Sequence, residues 1–240
     1  MNEFKADLHI HTCLSPCADL EMSPRNIVGE AKRKGLHVIG ICDHNSAENV
    51  PAVEKTAARE GITVIGGMEV TSREEVHILA LFGRAESLLS LQAIVHEHLH
   101  GTNDEKLYGE QVIVNEEDEV LGFSDKLLIG ATDLTLERLV DLIHELDGLA
   151  IAAHVDREGF GLIGQLGFIP EGLPLDALEL ADPAKRECVP PDVRLPLITS
   201  SDAHKLEDVG RRSTTFLMEA ANTAEIRRCL SGAEGRSAWI

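Results

Sequence analysis

Aromatic residues are scarce: Phe, Tyr and Trp together make up 3% of the 240 residues. A core short of rings must be filled by Val, Ile, Leu and Ala, which suit parallel strands buried on both faces. An extended stacking surface for a long single strand of nucleic acid is equally disfavoured. Basic residues are few, with 22 Lys and Arg against 41 Asp and Glu and a net charge of −19. That argues against a broad electrostatic grip on nucleic acid. It leaves room for a small phosphorylated substrate, because bound cations would reverse the local sign. The five cysteines (Cys13, Cys17, Cys42, Cys188 and Cys229) form no regular framework. No signal peptide precedes the first strand, and no apolar run has the length of a membrane span. A reduced cytoplasm is the expected compartment.

What the chain does have is a recurring pattern. Asp7-Leu8-His9-Ile10-His11, Asp43-His44-Asn45, Gly67-Met68-Glu69, Ala153-His154 and Ser201-Asp202-Ala203-His204 each follow an apolar run. Histidine and carboxylate delivered from the ends of several strands indicate one shared site. Phe4 to His11 alternates, which predicts Asp7, His9 and His11 on one strand face and Ala6, Leu8 and Ile10 on the other. Two imidazoles two residues apart on one face suit chelation of one ion, and Asp202-x-His204 repeats that spacing. Glu69 could bridge two ions. The pattern offers more donors than a single zinc can use, so two or three metals fit better.

Helices are predicted from Ser23 and Pro24 to the stop at Gly35, over Val50–Glu60 with Asn49 as cap, and over about Glu86–His100, Leu136–Leu146 and Thr223–Leu230. Further strands are predicted at His37–Cys42, Ile62–Gly66, Val76–Phe82, Leu149–Ala153, Asp176–Leu180 and Leu195–Ser200. Residues 102–134 break the rhythm and read as a hairpin excursion, with strands at Gln111–Asn115 and Val120–Phe123. Alternation of about seven strands with helices implies a parallel sheet. Ligands at most strand ends favour a closed barrel over an open doubly wound sheet.

The ordered motifs Asp-Leu-His-x-His-Thr, Asp-His, Gly-x-Glu, a lone His and Ser-Asp-Ala-His resemble those of the PHP (polymerase and histidinol phosphatase) superfamily of metal-dependent phosphoesterases, from Lys5 to about Arg212. The resemblance implies a distorted seven-stranded α/β barrel of the TIM-like kind, one domain over 1–240 with the 102–134 insertion. It implies three divalent metals, Zn, Mn or Fe, held by His9, His11, His44, Glu69, His77, His154, Asp202 and His204. Asp7 and Asp43 look like residues that orient histidines. The family often has His or Asp shortly after His-x-His-Thr. Here Ser15-Pro16-Cys17-Ala18-Asp19 fills that stretch, and either Cys17 or Asp19 takes the position. A thiolate from Cys17 would favour zinc.

The implied reaction is hydrolysis of the phosphate ester of a small metabolite or nucleotide by metal-activated water. Glu69 and Asp202 hold the metals, and Arg157, Arg211 or Arg212 could clamp phosphate. The alternatives are a phosphodiesterase or exonuclease on short oligonucleotides, and a non-catalytic metal-binding module. Two further motifs are decoys. His96-Glu97-His98-Leu99-His100 matches the zinc-protease pattern without an evident third ligand. Gly159-Phe160-Gly161-Leu162-Ile163-Gly164 lacks the strand–helix setting of a dinucleotide fingerprint, and reads as a flexible loop or lid at the mouth of the site.

Overall fold

The computed structural model describes residues 1–240. Strand β1 (Asn2–Ile10) is followed by helix α1 (Pro24–Arg33), β2 (Val38–Ile41), α2 (Val50–Glu60) and β3 (Thr63–Thr71). The three strands pair in parallel, as helical crossovers require. Pro24 opens α1, where its missing N–H costs nothing. Gly61 ends α2 at φ 73°, a conformation open to glycine.

The expected parallel order fails at β4 (His77–Phe82), which runs antiparallel to β3. Only the turn 72–76 joins the two strands, with Glu75 at φ 59°, so there is no crossover helix to bring the chain back. Then come α3 (Ala85–His98), α4 (Glu105–Tyr108), β5 (Val112–Val114), β6 (Val120–Phe123), α5 (Leu136–Glu145) and β7 (Leu149–Ala152). β7 is antiparallel to β4. After α6 (Leu162–Leu166), strands β8 (Ala177–Glu179) and β9 (Leu197–Ile198) restore parallel pairing. The chain closes with β10 (Thr214–Met218), α7 (Thr223–Leu230) and β11 (Ser237–Trp239). β10 lies antiparallel to both β1 and β11.

The main sheet has nine strands in the order β11-β10-β1-β2-β3-β4-β7-β8-β9, and its two edges approach each other into a nearly closed barrel. At the seam, the Thr199 N–H donates to Thr214 Oγ1 and that hydroxyl donates back to the Thr199 carbonyl, both at 2.9 Å. The sequence reading of seven strands omitted β10 and β11, which follow the last ligand motif. Ile27, Val53, Leu91 and Val140 of the outer helices pack on Ile39, Ile41, Met68 and Ile78 of the sheet. Inside the barrel, Leu8, Val38, Ile65, Leu79, Ile151 and Phe216 form a second core with Ile226 of α7.

The simple alternation expected for β1 is broken. Asp7 pairs with Ile39 and Ile10 with Ile41, so Leu8 and His9 together face the single residue Gly40. This is a β-bulge. Its consequence is visible in the packing: Leu8 belongs to the interior core, whereas Ile10, two residues on, belongs to the outer one. The bulge turns His9 and His11 inward and leaves Asp7 on the opposite face from them, contrary to the face shared by all three in a regular strand.

The 102–134 excursion contains the expected hairpin, with β5 and β6 forming a separate two-stranded sheet. It is tied to the strand-end loops by residues the sequence marks as helix caps. Asn49 makes no cap bond. Its Nδ2 donates to the Val112 carbonyl and its Oδ1 accepts from the Val114 N–H, both at 3.0 Å. Ser23 likewise gives its hydroxyl to Asp118 at 2.9 Å. No helix is long and apolar enough to cross a membrane.

Candidate metal centre

The centre forms where strand ends are linked by isolated bridges. Ile10 pairs with Ala203, and His44 with Glu69. The first bridge brings Asp202 and His204 to the end of β1, and the second seats His44 beside β3. Three sets of donor atoms lie within 4.8 Å of one another: His9, His11, Glu69 and Asp202; His11, His44 and His204; and His44, Glu69 and His77.

Glu69 is the hub. Its Oε1 lies 2.7 Å from His77 Nδ1, 3.0 Å from His154 Nε2 and 3.5 Å from His9 Nε2. Its Oε2 lies 3.1 Å from His44 Nδ1 and 3.3 Å from His11 Nε2. Asp202 Oδ1 stands 3.2 Å from Nε2 of both His9 and His11.

The tautomers follow from the outer partners. Glu179 Oε2 accepts from His9 Nδ1 at 3.0 Å. Ser15 Oγ accepts from His11 Nδ1 at 2.9 Å and donates to Asp43 at 2.7 Å. In the neutral form that ligates a cation, each imidazole therefore keeps its proton on Nδ1 and aims Nε2 at the centre, where the two Nε2 atoms stand 3.1 Å apart. His204 follows the same rule, donating Nδ1–H to the Asp202 carbonyl at 2.9 Å. His44 Nδ1, His154 Nδ1 and Asp202 Oδ1 are buried without a hydrogen-bond partner. Converging lone pairs and orphaned donor atoms fit divalent cations, and mixed imidazole and carboxylate ligands suit zinc, manganese or iron.

Charge is tightly compensated here. Burial disfavours the ionised form of Glu69, but His77, His9 and His44 outweigh it and hold the carboxyl well below its usual range. Burial likewise opposes the charged form of His9. The acids Asp202, Glu179 and Glu69 overcome it and raise His9 well above the histidine range. Burial opposes the charged form of His11 too, but the adjacent carboxylates of Asp202 and Glu69 outweigh it and raise His11 to about 9. His204 falls to about 4, first by burial and then by repulsion from His11. Asn45, His154, Phe160 and Asp202 all have positive φ, at 51°, 30°, 59° and 50°. Such backbone strain concentrates where function fixes geometry.

Asp7 and Asp43 are fully buried and play different parts. Asp43 orients His11 through Ser15 and also holds the Thr12 N–H and hydroxyl, each at 2.7 Å. Asp7 orients no histidine. It accepts from the Ser201 and Gly210 N–H groups at 2.9 and 2.8 Å, and so positions the loop that carries Asp202. Burial raises its carboxyl to about 6.

Cys17 and Asp19 lie outside the three donor sets. Cys17 keeps an exposed edge, and its thiol is pushed up to about 12 by surrounding protein and then by Glu69. The Asp19 carboxylate is exposed, while its N–H donates to the His204 carbonyl at 2.9 Å. Arg157 Nη1 reaches Asp202 Oδ2 at 2.5 Å. Arg211 and Arg212 turn instead to Asp208 and Asp182. His96 meets the Asn45 carbonyl, and His98 and His100 both bind Asp133, so the protease-like motif gathers no site. The loop around the Gly-x-Gly-x-x-Gly motif is wound tightly. A Cβ on Gly161 would stand 2.5 Å from the Arg157 carbonyl, and one on Gly164 2.3 Å from that of Glu158. These glycines permit close backbone approach and do not mark a loose lid.

Sequence reasoning missed Glu179. Its only signal is an acid in the apolar run Ala177-Leu178-Glu179-Leu180, which is buried in the barrel. Replacing it with Gln should cost about 10- to 100-fold in metal affinity, the range for residues that orient ligands. Metal titration of the variant measures this, and unchanged affinity would count against the role.

A nearly closed α/β barrel with a metal-capable cluster at its strand ends defines the class of protein. The chain belongs to the PHP domain family: residues 7–162 match that domain, and residues 192–231 match the PHP-associated family. It is similar to the uncharacterized protein MJ1587 of Methanocaldococcus jannaschii, with 37% identity over 86 residues, 32% of this chain and 50% of that one. It is also similar to a 5′-3′ exoribonuclease of Haemophilus influenzae, with 34% identity over 80 residues, 32% of this chain and 28% of that one. The matched segments thus span half or less of these relatives. The fold is shared with the lesion-specific endonuclease PfuEndoQ of Pyrococcus furiosus, at a TM-score of 0.72 and 22% identity over 99% of this chain and 58% of that one.

Proposed function

We propose that the chain is a metal-dependent phosphoesterase acting on the phosphate ester of a small metabolite or nucleotide. The observation that carries this reading is the sharing of one buried carboxylate, Glu69, among five histidines, with Asp202 closing the set. His9, His11, Glu69 and Asp202 would hold one cation. His11, His44 and His204 would hold a second, and Glu69 with His44, His77 and the neighbouring His154 a third; Cys17 or Asp19 would join only by a movement of the 15–19 loop. Bound divalent cations of this kind activate water at neutral pH and offset charge on phosphate oxygens. The chain's own residues fix the geometry. Glu179 and the Ser15–Asp43 pair hold His9 and His11 in the required tautomers, and Asp7 holds the loop bearing Asp202. Activity on diesters would use the same residues, so the name of the exoribonuclease relative is compatible with this reading.

Arg157 is the phosphate clamp in this proposal. Its side chain is 41% exposed and rests on Asp202, so it can meet an incoming anion without crossing the core. Arg157→Ala should lower kcat/KM by about 10- to 100-fold, as expected for a hydrogen bond between charged groups. Arg157→Lys should restore part of it. An unchanged kcat/KM would remove Arg157 from the site.

The test of the function is phosphate release from mononucleotides, nucleoside bisphosphates, sugar phosphates and histidinol phosphate with Mn²⁺ or Zn²⁺, followed by phosphodiesters. The His9→Ala/His11→Ala protein serves as blank. Release that vanishes in the blank supports a phosphoesterase. Tight metal binding without turnover of any ester overturns it in favour of a metal-binding module.

A further inference from the structure

Phe160 is out of place as a packing residue. Three of the six phenylalanines are exposed, Phe123, Phe160 and Phe168, and Phe160, at 43%, is the one whose ring stacks on a histidine of the donor cluster. Its backbone sits at φ 59°, a region that disfavours bulky side chains and suits glycine or asparagine. Burial does not account for a strained aromatic in this position.

Its surroundings are well defined. The ring stacks on the His77 imidazole at 4.5 Å between centroids and 19° between planes. The Phe160 carbonyl accepts the His77 N–H at 2.9 Å, which ties the loop to the start of β4. His77 in turn lies 2.7 Å from Glu69. One face of the ring is therefore covered by an imidazole of the donor cluster, while much of the residue remains open to solvent. The hydrogen bond to the His77 N–H and the stacking on the His77 ring anchor the residue at two points, which favours a ring organised before any ligand arrives. Three residues earlier the same loop carries Arg157, which reaches Asp202. One short loop thus sets a guanidinium against Asp202 and an aromatic ring against His77, two members of the donor cluster. A ligand matching both carries a phosphate and a flat ring.

We propose that Phe160 is a stacking platform for the base of a nucleoside phosphate, which would make this site selective for nucleotides over sugar phosphates. This rests on the phosphoesterase reading for the orientation of the phosphate, but not on turnover. A single exposed ring offers one base a seat, in keeping with a mononucleotide or the terminal nucleotide of a short strand.

Binding separates the two readings. Equilibrium dialysis of the non-hydrolysable phosphonate analogues of adenosine 5′-monophosphate and of ribose 5-phosphate against Mn²⁺-loaded protein gives two affinities, whose ratio isolates the base. The wild-type ratio should favour the nucleotide by roughly tenfold or more, the range of base–aromatic stacking. Phe160→Leu should collapse that ratio toward one, and Phe160→Trp should preserve or raise it. A residue that only buttressed His77 would alter metal content and both affinities alike, so metal content is measured for each variant. A wild-type ratio near one, or a ratio unaffected by Phe160→Leu, would overturn the proposal. If no ester is hydrolysed but the ratio behaves as expected, the phosphoesterase reading fails and the nucleotide platform stands.

Discussion

Glu69→Gln is expected to reduce ester hydrolysis by well over 100-fold and to release bound metal. The reference is the 10- to 100-fold typical of removing a residue that merely orients a ligand. Glu69 does more than that, because its two oxygens lie within 3.5 Å of His9, His11, His44, His77 and His154. Glutamine keeps the volume and one carbonyl oxygen but loses the charge. Its amide N–H₂ would point donors where a cation and imidazole nitrogens converge. Two of the three donor sets contain Glu69: the set with His44 and His77 loses its only anionic member, and the set with His9 and His11 is left with Asp202 alone. The set of His11, His44 and His204 stays intact. The check is metal content by elemental analysis alongside kcat and KM, with circular dichroism to establish folding. The variant should keep part of its metal and almost none of its turnover. Full metal content with wild-type turnover would show that Glu69 is not the hub.

The centre was legible in the sequence to the extent that its chemistry is local. His-x-His at a strand end, Asp-His after a strand and Ser-Asp-x-His carry their geometry within a few residues, and the structure gathers them. Positions whose role depends on a distant partner were not legible. Glu179 contacts His9 across 170 positions of chain and looks like any acid until the barrel closes. Alternation pairs Asp7 with His9 on one face, and the bulge parts them. The caps show a further limit: Ser23 and Asn49 fit the pattern for helix starts, yet their side chains bind the hairpin excursion. Propensity identified the helices correctly, and the tertiary structure used those polar groups elsewhere. β10 gave little signal, since Thr214-Thr215-Phe216-Leu217-Met218 does not alternate in polarity although the folded strand alternates buried and half-buried residues. The antiparallel turn before β4 was readable from the shortness of its link.

The bulge opposite Gly40 leads to the largest stability effect. Gly40 faces the barrel interior, where a Cβ would stand 2.3 Å from the Leu8 carbonyl oxygen and 2.6 Å from its carbon. Backbone cannot rotate aside as a side chain can, so Gly40→Ala must push β1 away from β2 or undo the bulge. Overpacking of a core usually costs about 1–3 kcal/mol, occasionally more. With backbone as the obstacle, about 3 kcal/mol or more is expected. For a domain of this size that is a fall in melting temperature of about 6–12 °C. Gly29→Ala is the matched control, because nothing lies within 4 Å of its added Cβ and it sits inside α1. That change should stabilise by up to about 1 kcal/mol, from helix propensity alone. Metal affinity distinguishes the cause. If the bulge is what turns His9 and His11 inward together, Gly40→Ala should weaken metal binding even well below its melting temperature, and Gly29→Ala should not. A Gly40→Ala protein that melts lower but binds metal as wild type would mean that His9 and His11 keep their aim without the bulge.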